Sequence, residues 1–515
     1  MYKAIKNLNK KKQQNQKVLD KNNNLITNPN KILSETTDFF RNKFYNEKED
    51  NIEPFDGIPR PLNTPITTDE VEEAINKLNN NRAPGEDNIT SELLKYGQGT
   101  LTEIITNCLN ECLQGHIDLD INNSILLTLQ KPGKEIGPLK NMRPISLLNS
   151  IRKVLSIVTL NRIRPKTEEF ISNNQSGFRP NRSTADVAWT HKWLAAKVQK
   201  EKEEIFITGI DFSSAFDTIK RSKLIQIINE FLEEDEIRMI RYLLSNTIVK
   251  PKINRASVET EFRSNIGTPQ GDSISPILFT IYLEKALREI RAVLEVDIEP
   301  NEIEYADDVD FISSKGYIDL DKIIPIMEKY NLFINKDKTE YVKLIRDTDH
   351  SKEEWRNSKK VGTLIGDAED VKRRSQLASA ALNKHSKLWS GKKKIKNKTK
   401  LRIYKTLVKP ILTYNCSTWG LNKSEEDRLD AFHRKQLKRV LGIKYPTKIS
   451  NKKLYKKTNE IPISKISKKG RWRLLGHILR RDQNIPANQA MTHYFRISDN
   501  KGFKGKPRTT LIKPN

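Results

Sequence analysis

Two short stretches decide the fold of this 515-residue chain: residues 205–217 read IFITGIDFSSAFD, and residues 303–313 read IEYADDVDFIS. The first is a β-rich run that ends on Asp211 and leads into a helix. The second predicts a strand, a tight acidic turn and another strand. Asp307 and Asp308 stand at the tip of that turn, where adjacent carboxylates repel one another and require a compensating cation. Taken alone, a solvated acidic turn is the commoner explanation of such a pair.

A site that combines Asp211, Asp307 and Asp308 suits magnesium. Mg²⁺ prefers carboxylate oxygens, retains much of its water and also binds substrate phosphates. Two such ions about 3.5–4 Å apart are the usual apparatus of in-line phosphoryl transfer. One ion lowers the pKa of an attacking 3′-hydroxyl, and the other stabilises the leaving pyrophosphate.

The positive charge of the chain is concentrated near its C-terminus. The formal net charge is +27, from 92 Lys and Arg against 65 Asp and Glu. Residues 391–515 hold 34 basic and 7 acidic side chains, whereas the first 390 residues hold 58 of each. A basic block interleaved with aromatic residues is typical of a polyanion-binding surface, whose binding should fall steeply with salt. The alternative is a solvated face in a lysine-rich protein.

Composition excludes several classes of protein. No apolar run is long enough to cross a membrane, and Met1 opens onto a polar stretch instead of a secretory signal. The three cysteines, Cys108, Cys112 and Cys416, give neither a disulfide framework nor a zinc knuckle. The sequence therefore predicts a reduced, intracellular protein without a membrane partner.

The pattern also predicts where helices begin. We expect a helix capped by Thr68, a second opened by Ser275-Pro276 and reaching about Ile290, and a third starting with a capping box at Ser424. Residues 1–30 are expected to be a solvated arm or linker, and residues 499–515 to be disordered.

Together with GTPQGDS at residues 267–273, the two acidic stretches closely resemble the three palm motifs of reverse transcriptases, in the same order. More narrowly, the chain resembles the polymerases of non-LTR (LINE-type) retrotransposons. Further similar segments are RAPG at 82–85, NMRPISL at 141–147, QSGFRP at 175–180, NKDKT at 335–339, RWRLLGH at 471–477 and GKPR at 505–508. The resemblance covers about residues 30–510.

The resemblance implies a role for each matching residue. Asp211, Asp307 and Asp308 would be catalytic metal ligands, helped by the carbonyl of Phe212, and Lys338 would donate a proton to pyrophosphate. The cofactor would be two Mg²⁺ ions, with Mn²⁺ as a possible substitute. For Lys338, an exposed lysine at a helix end is the alternative reading.

A second group of residues would bind the incoming dNTP. Lys131 and Arg143 would clamp the triphosphate, and Phe216 would exclude a 2′-hydroxyl. Gln270 and Gly271 would lie against the nascent base pair. The alternatives are a loop charge for Lys131, a core aromatic for Phe216 and a plain turn for Gln270-Gly271.

The remaining expectations concern nucleic acid, fold and location. Arg179 and Arg182 would contact the template backbone without reading its sequence. The resemblance implies an α+β right-hand polymerase with a ferredoxin-like palm and a basic helical C-terminal region. The domains expected are an N-terminal arm or linker (1–55), fingers and palm (56–345), a thumb-like helical region (346–420) and a basic nucleic-acid-binding region (421–515).

The function implied is RNA-templated addition of dNTPs to a DNA 3′-end, with an RNA template and a DNA primer or target as partners and the nucleus as the site of action. Many relatives carry an endonuclease, for which the segment ahead of the fingers is too short and the C-terminus lacks a Cys/His knuckle. The alternatives are an intron-maturase-type reverse transcriptase and a decayed or domesticated copy that only binds RNA. Residues 361–366 occupy the usual primer-grip neighbourhood without a firm match.

Overall fold

The computed structural model describes residues 17–498, apart from 21–22, 55–58, 98, 255, 348–352 and 391–394. It is a mixture of helices and sheets. The strands are β1 (Val18–Leu19), β2 (Leu25–Ile26), β3 (Ser124–Gln130), β4 (Met142–Leu148), β5 (Ile205–Ile210), β6 (Thr247–Pro251), β7 (Phe262–Ser264), β8 (Glu302–Tyr305), β9 (Asp308–Ser313), β10 (Glu340–Leu344), β11 (Lys359–Lys360) and β12 (Thr363–Leu364).

The helices account for most of the remaining described chain. They are α1 (Pro29–Phe44), α2 (Thr68–Lys77), α3 (Ser91–Tyr96), α4 (Thr100–Gln114), α5 (Ser150–Phe170), α6 (Thr184–Glu201), α7 (Arg221–Ile228), α8 (Glu234–Leu244), α9 (Ser275–Val293), α10 (Leu320–Lys329), α11 (Asp367–Lys384), α12 (Ser386–Ser390), α13 (Asn397–Leu407), α14 (Lys409–Leu412), α15 (Lys423–Val440), α16 (Asn451–Thr458), α17 (Ile463–Leu479) and α18 (Pro486–Ser498). None of these helices is long and apolar enough to span a bilayer.

The chain divides into two compact units, and it passes between them several times. The first comprises residues 1–172, 212–294 and 320–334, and the second comprises 173–211, 295–319 and 335–515. The first unit contains a four-stranded sheet in the order β4-β3-β6-β7, in which β3 runs antiparallel to β4 and parallel to β6. Phe40 of α1 packs with Leu126, Val249 and Phe262 of this sheet.

The sheet of the second unit has the strand order β10-β5-β9-β8 and is antiparallel throughout. Its core is apolar, as the β-branched residues of β5 require: Ile205 and Ile207 are fully buried and pack with Val198 and Leu194 of α6. Because side chains alternate along a strand, burial of one row fixes the register of β5 against both neighbours.

The structure corrects two predicted helix caps. The helix expected from Thr68 is capped by Thr67, whose side chain and that of Glu70 form a reciprocal capping box. The helix expected from Ser424 is capped by Asn422 with Glu425. In each case a residue one or two positions earlier, with an equally suitable oxygen, occupies the extended backbone position that a cap needs. The helix opened by Ser275-Pro276 is confirmed and extends to Val293.

The described part of the N-terminal segment differs from the expected solvated arm. Val18 of β1 is fully buried and packs with Ile32 and Leu33 of α1. The apolar positions of α1 fall on one helical face, and this face packs inward. The first sixteen residues, and the predicted disorder of residues 499–515, lie outside the described residues.

Candidate active site

The sheet of the second unit brings the three predicted metal ligands together. Asp211 directly follows β5, and Asp307 and Asp308 form the turn between β8 and β9. Ile210 pairs with Val309 across the two strands, which places Asp211 at the level of Asp308. Residues almost a hundred positions apart in sequence therefore meet at one end of the sheet.

A buried glutamine holds the acidic turn in shape. Ala306 has a left-handed backbone (φ +58°), which the tight turn requires. The Gln175 side chain accepts a hydrogen bond from the Ala306 N–H at 2.8 Å and donates to the Ala306 carbonyl at 3.2 Å. Gln175 is completely buried and also bonds Glu304 at 3.1 Å. The segment QSGFRP thus contacts the acidic turn directly.

Gly177 of the same segment can only be a glycine. A Cβ built on it would stand 2.1 Å from the Ala306 nitrogen. Its N–H donates to the Gln175 carboxamide oxygen at 2.6 Å. Any larger residue would push the loop away from the turn that carries Asp307 and Asp308.

The electrostatics of the site are those of crowded carboxylates. Asp307 and Asp308 are solvent-exposed, yet partial desolvation, together with repulsion from Asp307 and Asp310, raises the pKa of Asp308 to about 6. Partial desolvation and the nearby Asp211 raise the pKa of Asp307 as well. Lys338 donates from Nζ to Asp211 Oδ2 at 2.7 Å, so one cation of the chain already offsets part of this negative charge.

Behind the acidic turn lies a buried charged cluster that the sequence analysis missed. The Asp310 carboxylate bonds Lys360 Nζ at 2.6 Å and His191 Nε2 at 3.0 Å. Lys360 and His191 hold the pKa of Asp310 well below its usual range despite burial. The signal was present in the sequence, because an acid in an otherwise apolar strand implies a buried cation.

A cavity of about 550 Å³ opens beside these residues. It is lined by Asp211, Asp308, Asp310 and Lys338, together with Tyr305 and Tyr414. The hairpin of β11 and β12 forms another wall through residues 359–362. Residues 361 and 362, which begin the segment with no firm primer-grip match, therefore line the same cavity as Asp308.

The side chains at the acidic turn are chemically suited to bind a divalent cation. Among the described residues, no three His, Cys, Asp or Glu side chains are gathered closely enough to hold a metal ion as they stand. The available ligands are nevertheless carboxylate oxygens, which Mg²⁺ prefers. The carboxylates of Asp307, Asp308 and Asp211 repel one another, and a bound cation would reduce this repulsion. Phe212 itself is buried.

The first unit gathers the residues predicted to bind the dNTP. Phe216 stacks on Phe279 of α9, with ring centroids 4.3 Å apart. The Thr268 N–H donates to the Phe216 carbonyl at 3.0 Å, and Gln270 Nε2 donates to Asp217 at 3.0 Å. The loop GTPQGDS therefore packs on the Phe216 turn.

The same loop is fastened to β4, which carries Arg143. The Ser146 N–H donates to the Gln270 carbonyl at 3.0 Å. Gly271 has a φ of +124°, and a Cβ there would lie 2.9 Å from the Ser146 carbonyl oxygen. Arg143 is exposed, whereas Lys131 donates from Nζ to the Lys140 carbonyl at 3.1 Å.

The two predicted template contacts are engaged within their own loop. Arg179 is buried, and its guanidinium donates to the Gln175 carbonyl at 3.4 Å. Arg182 donates to the Asn173 carbonyl and to its side-chain oxygen, both at 3.0 Å. Both arginines thus stabilise the loop that holds the acidic turn.

Comparison with known proteins agrees with this geometry. Residues 129–373 match the family model described as reverse transcriptase (RNA-dependent DNA polymerase). The matched part is just under half of the chain, and it contains every predicted catalytic and dNTP-binding residue.

Several relatives are named as RNA-directed DNA polymerases of mobile elements. The RNA-directed DNA polymerase from mobile element jockey of Drosophila funebris is 22% identical over 408 residues, which are 73% of this chain and 44% of that protein. The probable RNA-directed DNA polymerase from transposon X-element of Drosophila melanogaster is 24% identical, over 74% of this chain and 44% of its own. The resemblance to non-LTR retrotransposon reverse transcriptases is thereby confirmed. The chain spans less than half the length of these relatives.

Among solved structures, telomerase from Candida albicans in complex with a fragment of telomeric RNA matches with a TM-score of 0.36 and 14% identity. The match covers 63% of this chain and 62% of that one. Similarity at this level is not informative about the fold.

Proposed function

We propose that this chain is an RNA-directed DNA polymerase that adds dNTPs to a DNA 3′-end on an RNA template. The observation that carries the proposal is the meeting of Asp211 with the Asp307-Asp308 turn at one end of a sheet, inside the reverse transcriptase domain. Its partners would be an RNA template, a DNA primer or target and dNTPs. A nuclear location follows from access to chromosomal DNA.

Asp211, Asp307, Asp308 and the Phe212 carbonyl would hold the metal ions, which are Mg²⁺ or in substitution Mn²⁺. When bound, two such ions supply activation of the primer hydroxyl and charge neutralisation at the departing pyrophosphate. Lys338 contacts Asp211, so it stands where it could also protonate the pyrophosphate. Gln175 fixes the backbone of the turn, which keeps the carboxylates in place.

In the first unit, Phe216, Gln270, Gly271, Arg143 and Lys131 would bind the nucleotide. The exposed guanidinium of Arg143 suits a triphosphate because its fork pairs two oxygens at once. The stacking of Phe216 on Phe279 holds the ring rigid, as a steric gate against a 2′-hydroxyl must be. Arg179 and Arg182 would contact the template backbone while they keep their hydrogen bonds within the loop.

The architecture that we propose is a right-hand polymerase whose ferredoxin-like palm includes the β10-β5-β9-β8 sheet. The antiparallel strands with the carboxylates at one end support this assignment. The expected domain limits, with fingers and palm over 56–345, a thumb over 346–420 and a basic region over 421–515, remain part of the proposal.

Primer extension tests this function. The wild-type chain is expected to extend a DNA primer on an RNA template with Mg²⁺ and dNTPs, and Asp307→Ala is expected to lose extension by at least a thousandfold. Asp118→Ala removes an exposed carboxylate outside the site and serves as the control. A folded, RNA-binding wild type that extends no primer would contradict the proposal and favour the copy that only binds RNA.

A further inference from the structure

The segment after residue 430 carries an unusual run of positive charge. Residues 431–459 contain ten Lys and Arg side chains and not one Asp or Glu. The first turn of α15 is acidic, with Glu425 and Glu426, while its last turn is basic, with Lys438 and Arg439. This order suits the helix dipole, but the dipole interacts only with charges in the terminal turns. Most of the ten cations need another explanation.

Five of these cations line one groove. Arg434, Lys435, Lys438, Arg439 and Lys444 surround a cavity of about 600 Å³. The first four lie on consecutive turns of α15, and the chain then reverses at Gly442, whose φ is +70°. The reversal brings Lys444 back to the same groove. The opposite face of α15, with Leu437 and Val440, is buried in the core.

None of these five side chains forms an ion pair within the part of the chain that the structure describes. Other cations of the second unit are neutralised: Lys409 pairs with Glu460 at 2.6 Å, and Lys468 with Glu426 at 2.8 Å. Like charges crowded in one groove repel each other, so the arrangement is disfavoured unless an anion binds there. Five cations along one groove can contact several phosphates of one polyanion at once, whereas a single small anion would contact only some of them.

An exposed aromatic ring stands directly after Lys444. Tyr445 is 93% exposed, the largest exposure among the bulky apolar or aromatic residues that the structure describes. A basic groove next to an accessible ring is the arrangement by which proteins bind single-stranded nucleic acid, with cations on the backbone and a base stacked on the ring.

We infer that the groove of Arg434, Lys435, Lys438, Arg439 and Lys444 is a binding site for a single strand of nucleic acid, with Tyr445 as a stacking platform. The site is separate from the acidic turn, and it deepens the proposed function by assigning a place where a strand is held outside the polymerase centre. RNA and DNA share this chemistry, so the choice between them is left to the experiment.

The test measures binding by the full chain. A fluorescent RNA strand of about 20 nucleotides, longer than a typical single-strand site, is titrated with protein at several salt concentrations, in parallel with single-stranded and duplex DNA of the same length. The variant is Lys435→Glu/Arg439→Glu/Lys444→Glu, whose three positions are exposed. The control is Lys31→Glu/Lys322→Glu/Lys372→Glu, which changes the net charge equally at exposed positions outside the groove.

The groove variant is expected to raise the Kd at moderate salt at least tenfold. It should reduce the slope of log Kd against log salt by about 2, since each lost phosphate contact on a single strand contributes about 0.7. The control should keep the wild-type slope. If both triple variants weaken binding alike, the net charge and not the groove is responsible, and the inference is wrong.

Tyr445→Ala gives a second, independent test, because the substitution removes a ring that is 93% exposed and therefore makes few contacts within the protein. Loss of one stacked base should raise the Kd for single strands between about fivefold and a hundredfold and leave the salt slope unchanged. Duplex DNA, whose bases are not free to stack on the ring, should be unaffected. An equal loss on duplex DNA, or none on either single strand, would overturn the single-strand assignment.

Failure of the strand-binding inference can be distinguished from failure of the proposed polymerase function. Asp307→Ala should lose extension and keep the wild-type Kd for the strand. If the protein binds strands through the groove but extends no primer, the strand-binding inference stands and the proposed polymerase function is wrong.

Discussion

At the scale of single residues, the acidic turn depends on buried polar side chains more than on the carboxylates themselves. Gln175 fixes the backbone of Ala306. Lys360 forms an ion pair with Asp310, two positions after Asp308, and His191 forms a hydrogen bond with the same carboxylate. A buried carboxylate costs several kcal/mol unless it is paired, so these partners allow an acid to stand in the central strand β9.

Replacement of Lys360 by methionine should therefore destabilise the protein strongly. Methionine keeps the length and apolar stem of the side chain but leaves Asp310 buried without its cation. We expect Lys360→Met to reduce the free energy of unfolding by about 3–5 kcal/mol. Urea unfolding followed by circular dichroism measures this change.

The neighbouring Lys359 provides the matched control, because it belongs to the same strand and is exposed. Lys359→Met should change the stability by no more than about 0.5 kcal/mol. The double variant Lys360→Met/Asp310→Leu should recover much of the loss, since it removes both buried charges together. Equal stabilities for Lys360→Met and Lys359→Met would show that the Asp310 pair contributes little.

At the scale of elements, one face of α15 is charged and the opposite face is buried. One face carries the cations of the groove, and the other buries His433 completely. Among the described residues, neither ring nitrogen of His433 has a hydrogen-bond partner, and Tyr404 lies nearly parallel to the ring with centroids 6.1 Å apart. Burial lowers the pKa of His433 to about 4, so the folded protein holds it neutral.

His433 should make the stability depend on pH. Its ordinary pKa is about 6.5, so between pH 6.5 and 4 the unfolded chain binds a proton that the folded chain does not. Stability is therefore fully present above about pH 6.5 and decreases as the pH falls, by about 3 kcal/mol in all when pH 4 is reached.

His433→Phe, which keeps an aromatic ring in the same space, should flatten this part of the profile. Unfolding midpoints in urea at pH 7, 6, 5 and 4 would be compared for the wild type and the variant. His116→Phe changes a histidine that is exposed on the surface and serves as the control. A variant profile as steep as that of the wild type would assign the pH dependence to other groups.

At the scale of the whole molecule, the chain separates opposite charges. The carboxylates of Asp211, Asp307 and Asp308 attract cations at the acidic turn, while the groove of α15 attracts phosphates. Cation-dependent chemistry and strand binding should therefore respond differently to the solution.

Removal of divalent cations should separate the two activities. With EDTA in excess, primer extension is expected to cease, while the Kd for a single RNA strand should change less than twofold because its binding uses lysines and arginines. Restoring Mg²⁺ or Mn²⁺ should recover extension. Ca²⁺ should not, because it adopts larger and less regular coordination. Strand binding that disappears with EDTA would contradict this separation of sites.

The sequence by itself determined the chemistry and the local elements. The order of three motifs, with carboxylates ending β5 and occupying the β8–β9 turn, predicted the ligand set and the strands that carry it. Strand alternation and turn residues are local signals, so β5, β8, β9 and α9 lie close to where the pattern predicted them. The predicted N-cap residues were wrong where a nearby residue is equally suitable as a cap, as at Thr67 and Asn422.

Only the tertiary structure decided which distant residues support the site. Nothing near His191, Asp310 or Lys360 in sequence shows that they meet, because their contacts arise from packing α6 and the β11–β12 hairpin onto one sheet. The same holds for Gln175, whose partner Ala306 is 131 residues away. The cationic groove likewise forms only when the chain reverses at Gly442. Pairing across such distances depends on which buried surfaces fit together, and a linear pattern does not record that fit.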